Sequence, residues 1–212
     1  FLRPLGLRLN SGVRVVVSGV GGYQYMPTCE QAVAEGKLDL VAMARSWISN
    51  PDYGQLVYEG RDEDMVPCIR CNKCHGRGQG DPFASVCSVN PILGLEHHIS
   101  NMVRDPSPSK RIAVIGGGPG GMRAALYLSD RGHSVTIFEK SDGLGGAIRH
   151  ADFVSFKWPL KRYKDWLIAQ VGKRPIQVRL QTLATPEQIQ AEGFDVVLAA
   201  VGADPVRPPI PG

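Results

Sequence analysis

Cys68-Ile-Arg-Cys71-Asn-Lys-Cys74 places three thiols in one short loop, each three positions from the next, and Cys87 follows within Val86-Cys87-Ser88-Val89-Asn90-Pro91. That pattern suits a cubane iron–sulfur cluster, because each of its four irons takes one thiolate and a short loop can wrap three corners. A single zinc ion is the alternative. Zinc usually takes its ligands from two separated C-x2-C knuckles, whereas here three cysteines crowd one turn and the fourth stands alone. His75 could offer zinc an imidazole, but it directly follows a ligand and reads as a loop residue. Unliganded or disulfide-linked cysteines complete the alternatives. A second chemical signal is Gly116-Gly-Gly118-Pro-Gly-Gly121, set between the apolar strand 111–115 and a helix over 122–130, with strand 134–138 ending at Glu139. In that context Gly116 permits the tight turn, Gly118 lets the backbone approach a pyrophosphate, and Gly121 lets the helix pack closely on the strand. The helix N-terminus favours the phosphate charge, and Glu139 is placed to accept from an adenosine ribose. The competing reading is a glycine-rich turn with a solvated glutamate. Gly143-Leu-Gly145-Gly146 is either a second loop approaching the same dinucleotide or a plain turn. A buried strand over 195–201 ends at Gly202, where a ligand would meet the C-terminal edge of the sheet.

These groups need elements to position them. Residues up to about Asp64 alternate strand and helix: a strand over 13–18, a helix opened by Thr28 as N-cap with Gln31 as its capping-box partner, a buried strand over 38–43, and a helix that gives way near Asn50-Pro51. Near-continuous apolar strands of this kind belong to a parallel sheet covered on both faces. Two βα units cannot supply that cover, so the segment is expected to be the end of a larger sheet or barrel whose remainder precedes Phe1. Gly19, Ala44 and Arg45 follow the two strands at the face where α/β barrels carry their active sites. They read either as holders of a flavin mononucleotide (FMN) phosphate or as two tight turns with a surface arginine. Residues 96–110 turn polar and end in a Pro/Ser linker. The later stretch 157–164 is basic, but Leu160, Tyr163, Leu167 and Val171 share one helical face, which leaves the charges outside.

Composition excludes some functions. A formal charge of +4 over 212 residues, with no aromatic-interleaved basic stripe, is no nucleic-acid footprint. No apolar run reaches membrane-spanning length, and no signal-peptide pattern opens the chain. Five cysteines, four of them in one motif, point to a reducing, cytoplasmic setting.

Taken in order, these features resemble the family of 2,4-dienoyl-CoA reductase and trimethylamine dehydrogenase, multidomain iron–sulfur relatives of old yellow enzyme. The resemblance rests on Asp39-Leu-Val-Ala-Met-Ala-Arg45, Asn50-Pro51-Asp52, Gly60-Arg61, the four cysteines, Val114-Ile-Gly-Gly-Gly-Pro-Gly-Gly121, Glu139, Gly145-Gly146 and Ala200-Val-Gly202. It implies an α/β chain in three parts: residues 1–64 as the C-terminal end of an FMN-binding (β/α)8 barrel, 65–110 as the 4Fe–4S segment and linker, and 111–212 as part of a Rossmann-like domain for flavin adenine dinucleotide (FAD) or ADP. It further implies NAD(P)H as co-substrate, a small-molecule substrate, and barrel and NAD(P)-binding segments beyond both ends, with homo-oligomerisation left open. In the reductase branch electrons run from NAD(P)H through FAD and the cluster to FMN and an activated C=C bond; in the amine dehydrogenase branch they leave the substrate through FMN and the cluster. Val20 stands where many relatives carry a basic residue for the FMN phosphate. The family's proton donor lies upstream of Phe1, so no residue here is assigned as catalytic.

Overall fold

The computed structural model describes residues 16–75, 86–98, 108–204 and 209–210. Residues 7–12, the first part of the strand expected at 13–18, part of the linker, Pro205 and Pro211-Gly212 lie outside the described residues. By contacts the chain divides into two units, Phe1–Met102 and Val103–Gly212.

In the first unit β1 (Ser18–Val20) pairs in parallel with β2 (Leu40–Ala42), Gly19 lying opposite Val41. Helix α1 (Met26–Ala34) connects them, burying Cys29 and Ala32. It begins earlier than the capping-box reading expects. Tyr25 is the N-cap without a side-chain bond, and Pro27 occupies the first turn, where its missing N–H costs nothing and its fixed φ suits the helix. Thr28 therefore lies inside the helix, and Gln31 donates to Glu35 at 2.8 Å, one turn on. The expected burial of these strands also needs correction. Val20 is 70% exposed and Leu40 is exposed too, because among the described residues each strand has a single neighbour and its alternate side chains meet solvent.

Helices α2 (Arg45–Ser49) and α3 (Tyr53–Tyr58) follow, separated at Asn50. Asn50 is buried and grips the chain ahead of the cysteine loop: its Nδ2 donates to the Val66 carbonyl at 2.8 Å and its Oδ1 accepts from the Val66 N–H at 2.6 Å. Tyr53 beside it packs on Trp47 with ring centroids 5.2 Å apart. Burial, aided by the nearby Cys29 and Asp62, pushes the Tyr53 hydroxyl up to about 12.

The second unit is a four-stranded parallel sheet in the order β5-β4-β3-β6, with β3 at Arg111–Ile115, β4 at Ser134–Phe138, β5 at Ile176–Arg179 and β6 at Val196–Ala199. The central strands are the apolar runs that the sequence marks, and Ala113, Val114 and Ile137 are wholly buried. Helix α4 (Pro119–Asp130) joins β3 to β4 and buries Met122, Ala125 and Leu126. Strand β6 is not buried as expected: among the described residues it pairs with β3 alone, at the edge of the sheet, and Val197 is 52% exposed. Helix α5 (Trp158–Gly172) buries Tyr163, Leu167 and Val171, as their spacing requires, but it also buries Lys164. That corrects the expectation that every charge of the stretch faces outward; the Lys164 ammonium is drawn inward by the Asp152 carboxylate. Helix α6 (Pro186–Ala191) is capped by Thr185, whose hydroxyl accepts from the Gln188 N–H, and precedes β6.

Candidate functional site

The cysteine loop is positioned from both ends of the first unit. Asn50 holds Val66, and Gln24 Nε2 donates to the Cys68 carbonyl at 3.1 Å. Arg70 and Asn72 adopt left-handed φ values of 56° and 59° and turn the chain between the thiols. Cys68, Cys71, Cys74 and Cys87 then line one recess together with Arg45, Ile48 and Asn72, leaving about 10 Å³ open. All five cysteines are free thiols, so the disulfide alternative is not formed. The Arg70 N–H donates to Cys68 Sγ at 3.5 Å, and Cys71 Sγ lies 3.3 Å from Ser88 Oγ. Burial pushes the Cys68 thiol up, against the Arg70 N–H and the Arg45 charge. Burial also acts to raise Cys71, but bonds from the Ser88 hydroxyl and from backbone N–H groups outweigh it and leave this thiol below its ordinary value. Among the described residues no three of His, Cys, Asp or Glu are already drawn together at metal-binding geometry. The donor set nevertheless fits a group that takes four thiolates, since among the described residues four thiols and no carboxylate line the recess.

A cleft of about 400 Å³ opens beside it at the C-terminal ends of β1 and β2. Ala44 and Arg45 line this cleft, with Gly21, Gly22, Arg70 and His75. Gly19 does not line it: it sits within β1, where an added Cβ would meet Leu38 Cδ1 at 2.3 Å. Arg45 Nη1 donates to Asn72 Oδ1 at 2.8 Å. Arg45, Cys68 and Asn72 line both the cleft and the recess, so the two cavities share a wall.

The second unit holds a larger cleft of about 870 Å³, within the roughly 300–1,000 Å³ usual for ligand sites. Gly116, Gly118, Glu139, Gly146 and Gly202 line it. Gly121 lies behind, where an added Cβ would fall 1.9 Å from the Gly116 carbonyl oxygen, so only glycine lets α4 pack on this turn. Gly116 itself has φ +111°, and its Cβ would meet the Ala200 carbonyl oxygen at 2.3 Å. Gly145 is not in the lining either; its N–H donates to the Gly117 carbonyl at 2.9 Å and docks the second loop on the first. Glu139 is 7% exposed, which removes the solvated-glutamate reading. Its Oε2 accepts from the Gly117 N–H at 2.7 Å, and its Oε1 accepts from the Ser141 N–H and hydroxyl, both at 2.8 Å. Burial acts to raise this carboxyl, but the Ser141 and Gly117 bonds and the Lys140 charge outweigh it and hold it below the usual range. A carboxylate offers about four acceptor sites; three are used internally, which leaves room for a ribose hydroxyl.

Three contributors were not legible in the sequence. Ser141 Oγ also lies 2.9 Å from the Gly143 carbonyl, so its single proton is shared between that oxygen and Glu139 Oε1; Arg149 lines the cleft and pairs with Asp142 at 2.8 Å, and Lys164 runs its stem beneath the second loop. An added Cβ on Gly145 would lie 2.9 Å from Lys164 Cδ. Nothing local marks Lys164 for this place; it reads as one basic residue among several.

A parallel sheet whose first βαβ unit carries a glycine loop and a buried terminal acid defines a dinucleotide-binding α/β fold. In agreement, residues 114–165 match the family of NAD(P)-binding Rossmann-like domains. The chain is 36% identical to an NADH oxidase of Thermoanaerobacter brockii over 94% of its own length and 31% of that enzyme's. Among solved structures it is similar to 2-naphthoyl-CoA reductase in complex with 2-naphthoyl-CoA, at TM-score 0.82 and 34% identity over 94% of this chain and 30% of that one. It is also similar to histamine dehydrogenase from Rhizobium sp. 4-9, at TM-score 0.80 and 29% identity over 90% of this chain and 28% of that one. The chain belongs to the old yellow enzyme-related family of 2,4-dienoyl-CoA reductase and trimethylamine dehydrogenase. It spans about a third of the length of the curated relatives it matches.

Proposed function

We propose that the chain is the central part of an iron–sulfur flavoprotein oxidoreductase that passes electrons from NAD(P)H through FAD and a 4Fe–4S cluster to FMN, for reduction of an activated C=C bond in a small-molecule substrate. The observation that carries this reading is the wall shared by the cysteine recess and the neighbouring cleft, built from Arg45, Cys68 and Asn72. When bound, the cofactors supply two-electron exchange at the flavins and one-electron passage at the cluster. This chain's residues do the holding: Cys68, Cys71, Cys74 and Cys87 as thiolate ligands, Ala44 and Arg45 at the FMN phosphate, and the Gly116–Gly121 turn with Glu139 at the adenosine end of FAD. Their placement at strand C-terminal ends supports β1 and β2 as the end of a (β/α)8 barrel. Amine dehydrogenation on the same scaffold is the second reading, favoured by the Cys71-to-Cys74 spacing and by the similarity to histamine dehydrogenase.

Anaerobic purification of the intact protein is expected to give about four irons and four sulfides per chain, as four-thiolate cubane ligation requires. Stoichiometric zinc without broad visible absorption would rule the proposal out. NADPH oxidation driven by an enone, against dye reduction driven by an amine, separates the two directions. Absence of FMN from the intact protein would leave only a non-catalytic electron-transfer module.

A further inference from the structure

Arg70 holds a conformation that its side chain does not favour. Its φ of 56° lies in the left-handed region, where a Cβ crowds the backbone and glycine has no such penalty. Asn72, at 59°, is of the type that tolerates this region through local hydrogen bonds; arginine has no comparable excuse. Strained backbone of this kind concentrates where a side chain has a task. The Arg70 side chain crosses to the loop after β1, where its Nη2 donates to the Gly22 carbonyl at 3.3 Å. It thereby lines the 400 Å³ cleft together with Arg45, which Asn72 pins through its 2.8 Å bond. Among the described residues no carboxylate lines the cleft, so two guanidinium groups enter one concave site with no described acid in its wall. Such a site attracts anions, and guanidinium forks match phosphate oxygens in a way that lysine does not.

We infer that Arg70 and Arg45 form a two-arginine clamp for the phosphate monoester of a flavin mononucleotide, with Arg70 acting as a specificity-determining residue that separates the nucleotide from its dephosphorylated form. The inference rests on the FMN reading of this cleft. Its closing bond to Gly22 means that the arginine reaches the phosphate from the cysteine loop rather than from the strand end. The clamp thus ties occupancy of the cleft to the fold of the loop that carries the thiols.

The test is a pair of affinities, for FMN and for riboflavin, measured by quenching of flavin fluorescence on the intact protein stripped of this flavin. Wild type is expected to prefer FMN. Arg70→Gly relieves the left-handed strain and removes the guanidinium; it should lower FMN affinity about tenfold, the scale of one charge-assisted bond at a partly solvated site, and change riboflavin affinity less than twofold. Arg70→Lys should restore part of the preference, and its iron content, with that of the glycine variant, reports whether the cysteine loop remains intact. Equal losses for both ligands, or unchanged preference in Arg70→Gly, would reduce Arg70 to a loop staple and overturn the inference while sparing the FMN reading. Equal binding of both ligands by wild type would remove the phosphate site but keep a flavin site. Failure of wild type to bind either ligand would remove the FMN reading itself and the clamp with it.

Discussion

At the scale of single residues, Glu139 combines two tasks. It is the terminal acid of β4 that a ribose can contact, and it is the internal tether joining the Gly117 and Ser141 backbones. Because these bonds hold its carboxyl below the ordinary value of 4.5, its contribution to stability is fully present above that pH. It is lost as the pH falls through the depressed folded value. Glu139→Gln keeps the shape but can present only one carbonyl oxygen where two acceptors are needed. It should cost on the order of 1.5–3 kcal/mol in unfolding free energy at neutral pH, the scale of hydrogen bonds to a charged group. Urea titrations at a series of pH values check this: the gap between wild type and variant should close as the pH falls below 4.5 and through the depressed folded value, where the wild-type carboxylate titrates. A gap that stays constant down to the acid limit would show that the charge of Glu139 does not support the loops. Dinucleotide affinity should fall in the same variant while the iron content stays unchanged.

At the scale of elements, α5 is the support of the second glycine loop, and it acts through a buried lysine. The Lys164 ammonium pairs with Asp152, whose side chain is about a third exposed, so solvent screening at the carboxylate keeps the ion pair's own contribution small. The stem is a different contribution, since each buried methylene removed costs about 0.8 kcal/mol. Lys164→Met keeps most of the stem and should lower stability only slightly. Lys164→Ala should lose roughly 2 kcal/mol more and release FAD more readily, as thermal melts paired with flavin titration would show. Equal effects of the two substitutions would mean that the stem does not hold the Gly145 loop. These contacts also mark the limit of what the sequence discloses. Strands β3 and β4 were legible because their apolar runs are bounded by turns and lie in the sheet interior, and the glycine loop because its spacing is set by local backbone geometry. Helix α1 was displaced because Pro27 starts a helix as well as Thr28 caps one. Lys164 was missed because helical periodicity sorts residues by polarity and cannot show that Asp152 waits on the buried side. The bond from Arg45 to Asn72, which makes one wall serve two cavities, joins residues far apart in sequence that no local pattern connects.

At the scale of the whole molecule, the candidate sites are divided between units. The cysteine recess and the two-arginine cleft lie wholly within Phe1–Met102, and the dinucleotide cleft wholly within Val103–Gly212, with no lining residue in common. A defect at the thiols should therefore leave the dinucleotide site folded and filled, and the proposed electron route can be cut between them. Cys71→Ser is the cut, because an alcohol is a poor replacement for a thiolate ligand of iron. The decisive measurement is rapid mixing of NAD(P)H with this variant of the intact enzyme, followed by absorbance after both flavins and the iron have been quantified. FAD should still be reduced at close to the wild-type rate, while FMN reduction and substrate turnover collapse. Near-normal substrate reduction in a variant shown to lack its iron would contradict the account and leave the four cysteines a structural part of the fold.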